Sequence, residues 1–184
     1  MSAVRNIRML VRYNKWANNM LLDAIAQLPS DEVTKQRAAA FGGMSFALAH
    51  IVIVDQIWQA HLLGQDHGFK SRTSELPDSL SLLSEKLKET GDWYIQYADS
   101  MTELLLNEMV QFSFVDGGAG EMTRGDILMH ICNHKAFHRG HIGDMFYQSG
   151  YRPPSIDLPV YLRDDFEEAD LTQNIVLNDN IKTN

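Results

Sequence analysis

The chain has a single cysteine, Cys132, among its 184 residues. A lone cysteine forms no internal disulfide, so a cystine-stapled exported scaffold is excluded. Long hydrophobic runs are missing as well: no stretch reaches the roughly 18 consecutive apolar residues of a membrane span, and none is expected. The N-terminal MSAVRNIRMLVRYNKWANN lacks both the apolar core and the small-residue cleavage site of a secretory leader. The expected location is therefore cytoplasmic. Positive charge is scarce: 16 Lys and Arg face 24 Asp and Glu, a formal charge of -8, with no Lys/Arg-rich run. Nucleic-acid binding uses clustered positive charge against phosphates, so the composition argues against it.

What is present is ordinary globular material, 45% hydrophobic and 22% charged. That length fills one domain and needs neither disulfides nor a metal to hold a core. A metal site, where one exists, then serves function.

Hydrophobic periodicity predicts four long helices. The first covers 3–28 and stops at Leu28-Pro29-Ser30, because proline disfavours helix in the residue before it. Residues 31–42 read as a short connection, broken again at Gly42-Gly43. The second helix covers 45–63 and ends at Gly64, the usual C-terminal glycine position. After a polar loop over 64–77, the third starts at Pro77-Asp78 and extends to Val110, with Gly91 as a point of bending. Residues 111–116, QFSFVD, alternate polar and apolar, and the glycines at 117, 118 and 120 make a turn, so a small hairpin is expected there. Thr123 and Asp126 form a capping-box pattern that opens the fourth helix, 124–149. Gly150 and Pro153-Pro154 end it, and Leu158–Asp164 reads as one short helix. The prediction is an all-α four-helix bundle with a small hairpin before the last long helix. The domain spans 1–164, and 165–184 read as an acidic, loose tail.

Four of the seven histidines fall within twelve residues: His130, His134, His138 and His141. Spacings of four, four and three place them within a sector of roughly 80° on one helix face. His138 falls in the apolar sector with Ile127, Ile131 and Met145, and His134 at its edge. His130 and His141 rotate toward Asp126, Asn133 and Asp144. Buried imidazoles need partners, so His134 and His138 are the better ligand pair. Two protein ligands rarely suffice, and the second helix offers His50 within ALAHIVIVDQIW. His61 points the same way as His50 but lies about 16 Å further along the axis, too far to share its ion. His61 and His67 read as ordinary surface or satisfied core histidines. Asp55, Asn133 and Asp144 are candidates for orienting the imidazoles, and His130 and His141 for the rim. Cys132 falls away from the His134/His138 face and reads as a packing residue rather than a nucleophile.

Three segments resemble the DinB family of the DinB/YfiT-like putative metalloenzymes. They are YNKWANNMLLDAIAQLP, GGMSFALAHIVIVDQIW, and HICNHKAFHRGHIGDMFYQSGYRPPSIDLPVYLRD. The resemblance implies a four-helix bundle, often a homodimer, with one divalent metal held by His50, His134 and His138. It also implies a metal-dependent enzyme acting on a small molecule, thiol S-transferase-like or hydrolase-like, with a low-molecular-weight thiol as a candidate substrate. The family is named for DNA-damage induction of a founding member, which implies no DNA binding. His141 stands where the family commonly has Gln, so its role is open. Zinc is the default metal, with nickel and iron as alternatives. Three histidines leave a coordination position open, as in catalytic zinc sites. The competing expectation is a non-catalytic metal-binding stress protein, in which that position is sealed.

Overall fold

The computed structural model describes residues 2–73 and 79–171. Four long helices form the bundle: α1 (Ala3–Ile25), α3 (Met44–Leu63), α4 (Leu80–Asp99) and α6 (Arg124–Gln148). Between them lie the short helices α2 (Ser30–Thr34) and α5 (Glu103–Leu106) and the strands β1 (Met109–Ser113) and β2 (Ala119–Thr123). Helix α7 (Leu158–Asp164) and a 3-10 turn, Glu168–Leu171, follow. The start expected at Pro77-Asp78 and the end of the tail, 172–184, lie outside the described residues.

The bundle is held by α1 against α4 and α6, and by α3 against α4 and α6. Its interior divides into two apolar clusters. One gathers Trp58, Tyr94, Ile127, Leu128 and Ile131. The other gathers Leu21, Leu48, Leu83, Ile142 and Phe146. On α6 the first cluster takes residues up to 132 and the second starts at 142. The intervening turns carry most of the buried polar groups of that helix, Lys135, His138 and Arg139. Helix α3 is long and apolar enough to cross a membrane by length and composition, but 67% of that window is buried in the bundle. It is the core helix.

Several boundaries follow the local signals. Thr123 Oγ1 accepts from the Asp126 N–H, and the Asp126 carboxylate accepts from the Thr123 N–H, so α6 opens on a reciprocal capping box. Gly64 ends α3 in the left-handed conformation. The hairpin is present and antiparallel, with Phe112 opposite Gly120. Val110 and Phe112 are its buried positions, so one face of β1 lies on the bundle.

Other boundaries depart from the sequence reading. The stretch predicted as one helix to Val110 stops at Asp99. The cause is tertiary: the Arg8 guanidinium of α1 donates to the Ala98, Asp99 and Met101 carbonyls, capping the helix end from outside. Thr102 then caps α5 as a separate turn. The first helix ends at Ile25 rather than 28, and the expected connection 31–42 begins with α2. Gly91 lies within the single helical span of α4. A Cβ there would come 3.1 Å from Lys15 Cγ, so this glycine lets α1 approach α4. The segment after Asp164 docks on α1: Arg5 forms a paired ion bridge with Glu168 at 2.6 and 2.9 Å, and Arg12 donates to the Asp170 carbonyl.

Candidate metal centre

His50 reaches the junction from α3, and His134 and His138 from successive turns of α6. His134 Nε2 lies 3.1 Å from His50 Nε2 and 3.1 Å from His138 Nε2. An imidazole nitrogen carries either one in-plane proton or one lone pair, so it makes one good hydrogen bond, not two. Two 3.1 Å neighbours on one ring nitrogen therefore do not amount to a hydrogen-bond network. They match ligands around a single ion: two nitrogens each about 2.0–2.1 Å from a tetrahedral centre are ~3.3 Å apart.

Tautomer and charge agree with that role. His50 Nδ1 lies 2.6 Å from the Arg72 carbonyl, an acceptor only, so Nδ1 holds the proton and the Nε2 lone pair is free. Burial holds all three imidazoles neutral. It pushes His134 down to about 3, reinforced by His138 and His50. It pushes His138 down to about 4, reinforced by His50 and His141. His50 is lowered by burial, which outweighs its bond to Arg72. Metal ligation requires neutral imidazole. The Nδ1 atoms of His134 and His138 are buried without a partner. Phe41 covers one side, stacked 4.5 Å from His50 and edge-on 5.0 Å from His138.

The other side opens on a cavity of ≈ 170 Å³. His50 and His134 are in its wall and His138 is not. Trp58 and Ile57 of α3 and Phe112 and Phe114 of the hairpin supply much of the rest, with Arg72 and Asp116 as its charged residues. His130 and His61 also line it. His130 sits edge-on to Trp58 at 4.9 Å and 5.8 Å from His134, at the rim of the triad. His61 is buried, contacts Trp58 and His67, and is lowered by burial.

The remaining candidates fall elsewhere. Asp55 does not orient an imidazole. It is fully buried, paired to Lys135 Nζ at 2.7 Å and accepting from Thr90 Oγ1 at 3.2 Å. Burial raises its carboxyl, opposed by the Lys135 charge. Asn133 is exposed, and so is Asp144, which accepts from Gln148 Nε2 at 2.6 Å. Both project from the solvent face of α6, away from the triad. His141 contacts Phe137 and His138 but is not in the cavity wall. Cys132 is buried and its thiol is pushed up to about 11, chiefly by burial, so it is no ready nucleophile.

Three contributors were not legible in the sequence. Phe41 lies in a segment that reads only as a connection. The Arg72 carbonyl is a backbone group, carried by no motif. The hairpin's role in the cavity wall depends on where it folds back. A fourth feature carried a signal whose meaning the structure supplies. Asn14 and Asn18, one turn apart in YNKWANN, both accept from Arg139 Nη1, at 2.5 and 2.8 Å. Arg139 also lies 5.6 Å over the Tyr13 ring. The shared opening motif is thus the receptor for the arginine that follows His138, and it fixes α6 on α1.

A helical bundle with three converging histidines beside a cavity defines the class: a four-helix protein able to hold a metal ion. The chain matches the DinB family over residues 1–171 and belongs to it. It is similar to Protein DinB of Bacillus subtilis (strain 168), 26% identical over 166 residues, 83% of this chain and 91% of the relative. The crystal structure of a DinB-like protein from Bacillus cereus ATCC 10987 shares the fold, with a TM-score of 0.59 at 18% identity over 78% of this chain and 91% of that one.

Proposed function

We propose that His50, His134 and His138 hold one divalent metal ion through Nε2 and that the chain is a metal-dependent enzyme acting on a small molecule. The observation that carries this is the pair of 3.1 Å contacts at His134 Nε2, where nitrogens gather without a proton arrangement that satisfies them. Zinc is the first expectation, with nickel and iron suited to the same donors. Bound there, the ion would supply a Lewis acid that polarises a substrate oxygen or activates a thiol. The protein's own part is positional. The Arg72 carbonyl fixes the His50 tautomer, Phe41 covers His50 and His138, and the apolar wall of the cavity limits water around a bound substrate. A thiol S-transferase-like or hydrolase-like reaction fits three neutral ligands and one accessible side.

The cavity favours this over a non-catalytic metal-binding stress protein, whose site would be closed on all sides. Homodimer formation belongs to the same reading. Met129, Phe137 and Tyr147 are exposed along one flank of α6, interleaved with exposed Asn133 and Asp144, and this is the surface that a second copy would cover. Elemental analysis of protein purified without a histidine tag is expected to find stoichiometric divalent metal, lost in His138→Ala. Protein that folds and carries no metal, even after zinc is offered, overturns the proposal.

A further inference from the structure

The cavity beside the triad has a composition and a size that restrict what enters it. Six of its lining side chains are aliphatic or aromatic: Val54, Ile57, Trp58, Phe112, Phe114 and Val115. Its volume is ≈ 170 Å³. An apolar cavity of about 150 Å³ takes one benzene ring, so this space fits a single six-membered ring or a branched alkyl group of that bulk, and not two fused rings. His61, His130, Arg72, Ser113 and Asp116 share the wall with His50 and His134, and a ligand's donor head belongs at the His50 and His134 end, where the triad's nitrogens converge.

The wall that sets this size is the hairpin. Phe112 lies across from Gly120 in the β1–β2 register. A Cβ on Gly120 would sit 2.7 Å from both Cε2 and Cζ of Phe112 and 3.2 Å from Cε2 of Phe114. The glycine's missing side chain is the seat of the Phe112 ring. From that seat the ring packs on Trp58 at 4.8 Å and on His61 at 5.3 Å. Phe114 meets it edge-on at 5.1 Å. Phe112 is thus positioned by β2 and packed against α3, between the metal ligands' helix and solvent.

We infer that the site takes a small molecule with one compact, ring-sized apolar group and a single thiolate or other anionic head, and that Phe112, seated on Gly120, determines the size accepted. The head rests on the metal reading proposed above; the ring-sized group rests on the cavity alone.

Two titrations separate these parts. In the first, metal-free protein is titrated with toluene and the indole signal of Trp58 is followed by NMR. Saturable binding that perturbs Trp58 is expected; its absence overturns the ring-sized cavity. In the second, cobalt(II)-loaded protein is titrated with ethanethiol, benzyl mercaptan and 2-naphthylmethanethiol, affinities are compared per thiolate so that the greater acidity of the two arylmethanethiols is removed, and the metal's absorption bands are read. Benzyl mercaptan is expected to bind at least about tenfold more tightly than ethanethiol, given the apolar area it buries, and more tightly than the naphthyl thiol. In Phe112→Ala the naphthyl thiol gains on the benzyl one. In Gly120→Ala, a change the extended backbone tolerates, the displaced Phe112 ring weakens benzyl binding about tenfold without altering cobalt affinity. This second variant keeps the test usable where Phe112→Ala fails to fold. Equal affinities across the three thiols, or an indifferent Gly120→Ala, overturn the role of Phe112. Toluene binding by the metal-free protein together with no thiol response from the cobalt form retires the thiolate head and upholds the cavity.

Discussion

Helix α6 carries two polar pairs at the same spacing, one residue out of step: His134 with His138, and Lys135 with Arg139. They meet opposite arrangements. Lys135 faces the Asp55 carboxylate at 2.7 Å and Arg139 faces two amide oxygens, at 2.5 and 2.8 Å. Donors there meet acceptors, and the partners come from α3 and α1. The histidines meet only imidazole nitrogens, with His50 Nε2 and His138 Nε2 both 3.1 Å from His134 Nε2. That second arrangement gives each nitrogen no full set of hydrogen-bond partners and is one that could hold a metal ion. The difference separates polar groups that hold the helices in register from polar groups arranged so that they could take a ligand, although both are read off one helix.

The largest effect that would break the comparison falls on the first pair. Lys135→Ala leaves the Asp55 charge buried without its partner and should cost about 3–5 kcal/mol in chemical denaturation. A loss below about 1 kcal/mol would show that this pair does not hold the bundle. Zinc should act through the second pair alone. At a free concentration of about a hundred times its Kd it adds about 2.7 kcal/mol of stability, seen as a raised Tm, and His134→Gln should erase the increase.

Acid distinguishes the pairs next. The folded pKa values of His138 and His134, about 4 and about 3, lie below the 6.5 of an unperturbed imidazole. Between pH 6.5 and 4 the unfolded chain therefore binds more protons, and stability falls as pH falls. At about 1.4 kcal/mol per pKa unit the two shifts would together be worth about 5 kcal/mol across that window, and solvent screening at the partly accessible rings reduces the loss expected of metal-free protein to on the order of 2 kcal/mol. The loss should be much reduced in a His134→Gln, His138→Gln double variant. A loss of equal size in that variant would assign the acid sensitivity to other groups. The smallest effect is that of Arg139→Lys, which keeps the charge and loses the planar guanidinium that lies over Tyr13 and places Nη1 between both asparagines; about 1–2 kcal/mol is expected from denaturant melts.

Much of this was legible from spacing. The i, i+4 histidines, the His50 outlier in an apolar run and the Thr123/Asp126 cap are local patterns, and the structure brings the three histidines together. What the sequence could not carry were contacts between distant segments. The third helix was overextended because Leu104 and Leu105 continue its apolar period, while the arginine that caps it lies over ninety residues away in Arg8. Asp55 follows His50 by five residues and so reads as its neighbour. In the bundle it turns toward Lys135, because Thr90 and Lys135 close around its carboxylate. The backbone carbonyl of Arg72 leaves no trace in residue type at all.

The hairpin between α5 and α6 supplies wall to the cavity but no member of the histidine triad, and it enters and leaves the bundle within fifteen residues, Met109 to Thr123. Changes there can reshape the cavity while the histidine triad and the helix packing stay as they are. The layout makes the cavity wall a short insert that can be exchanged without disturbing the histidines or the helices that carry them.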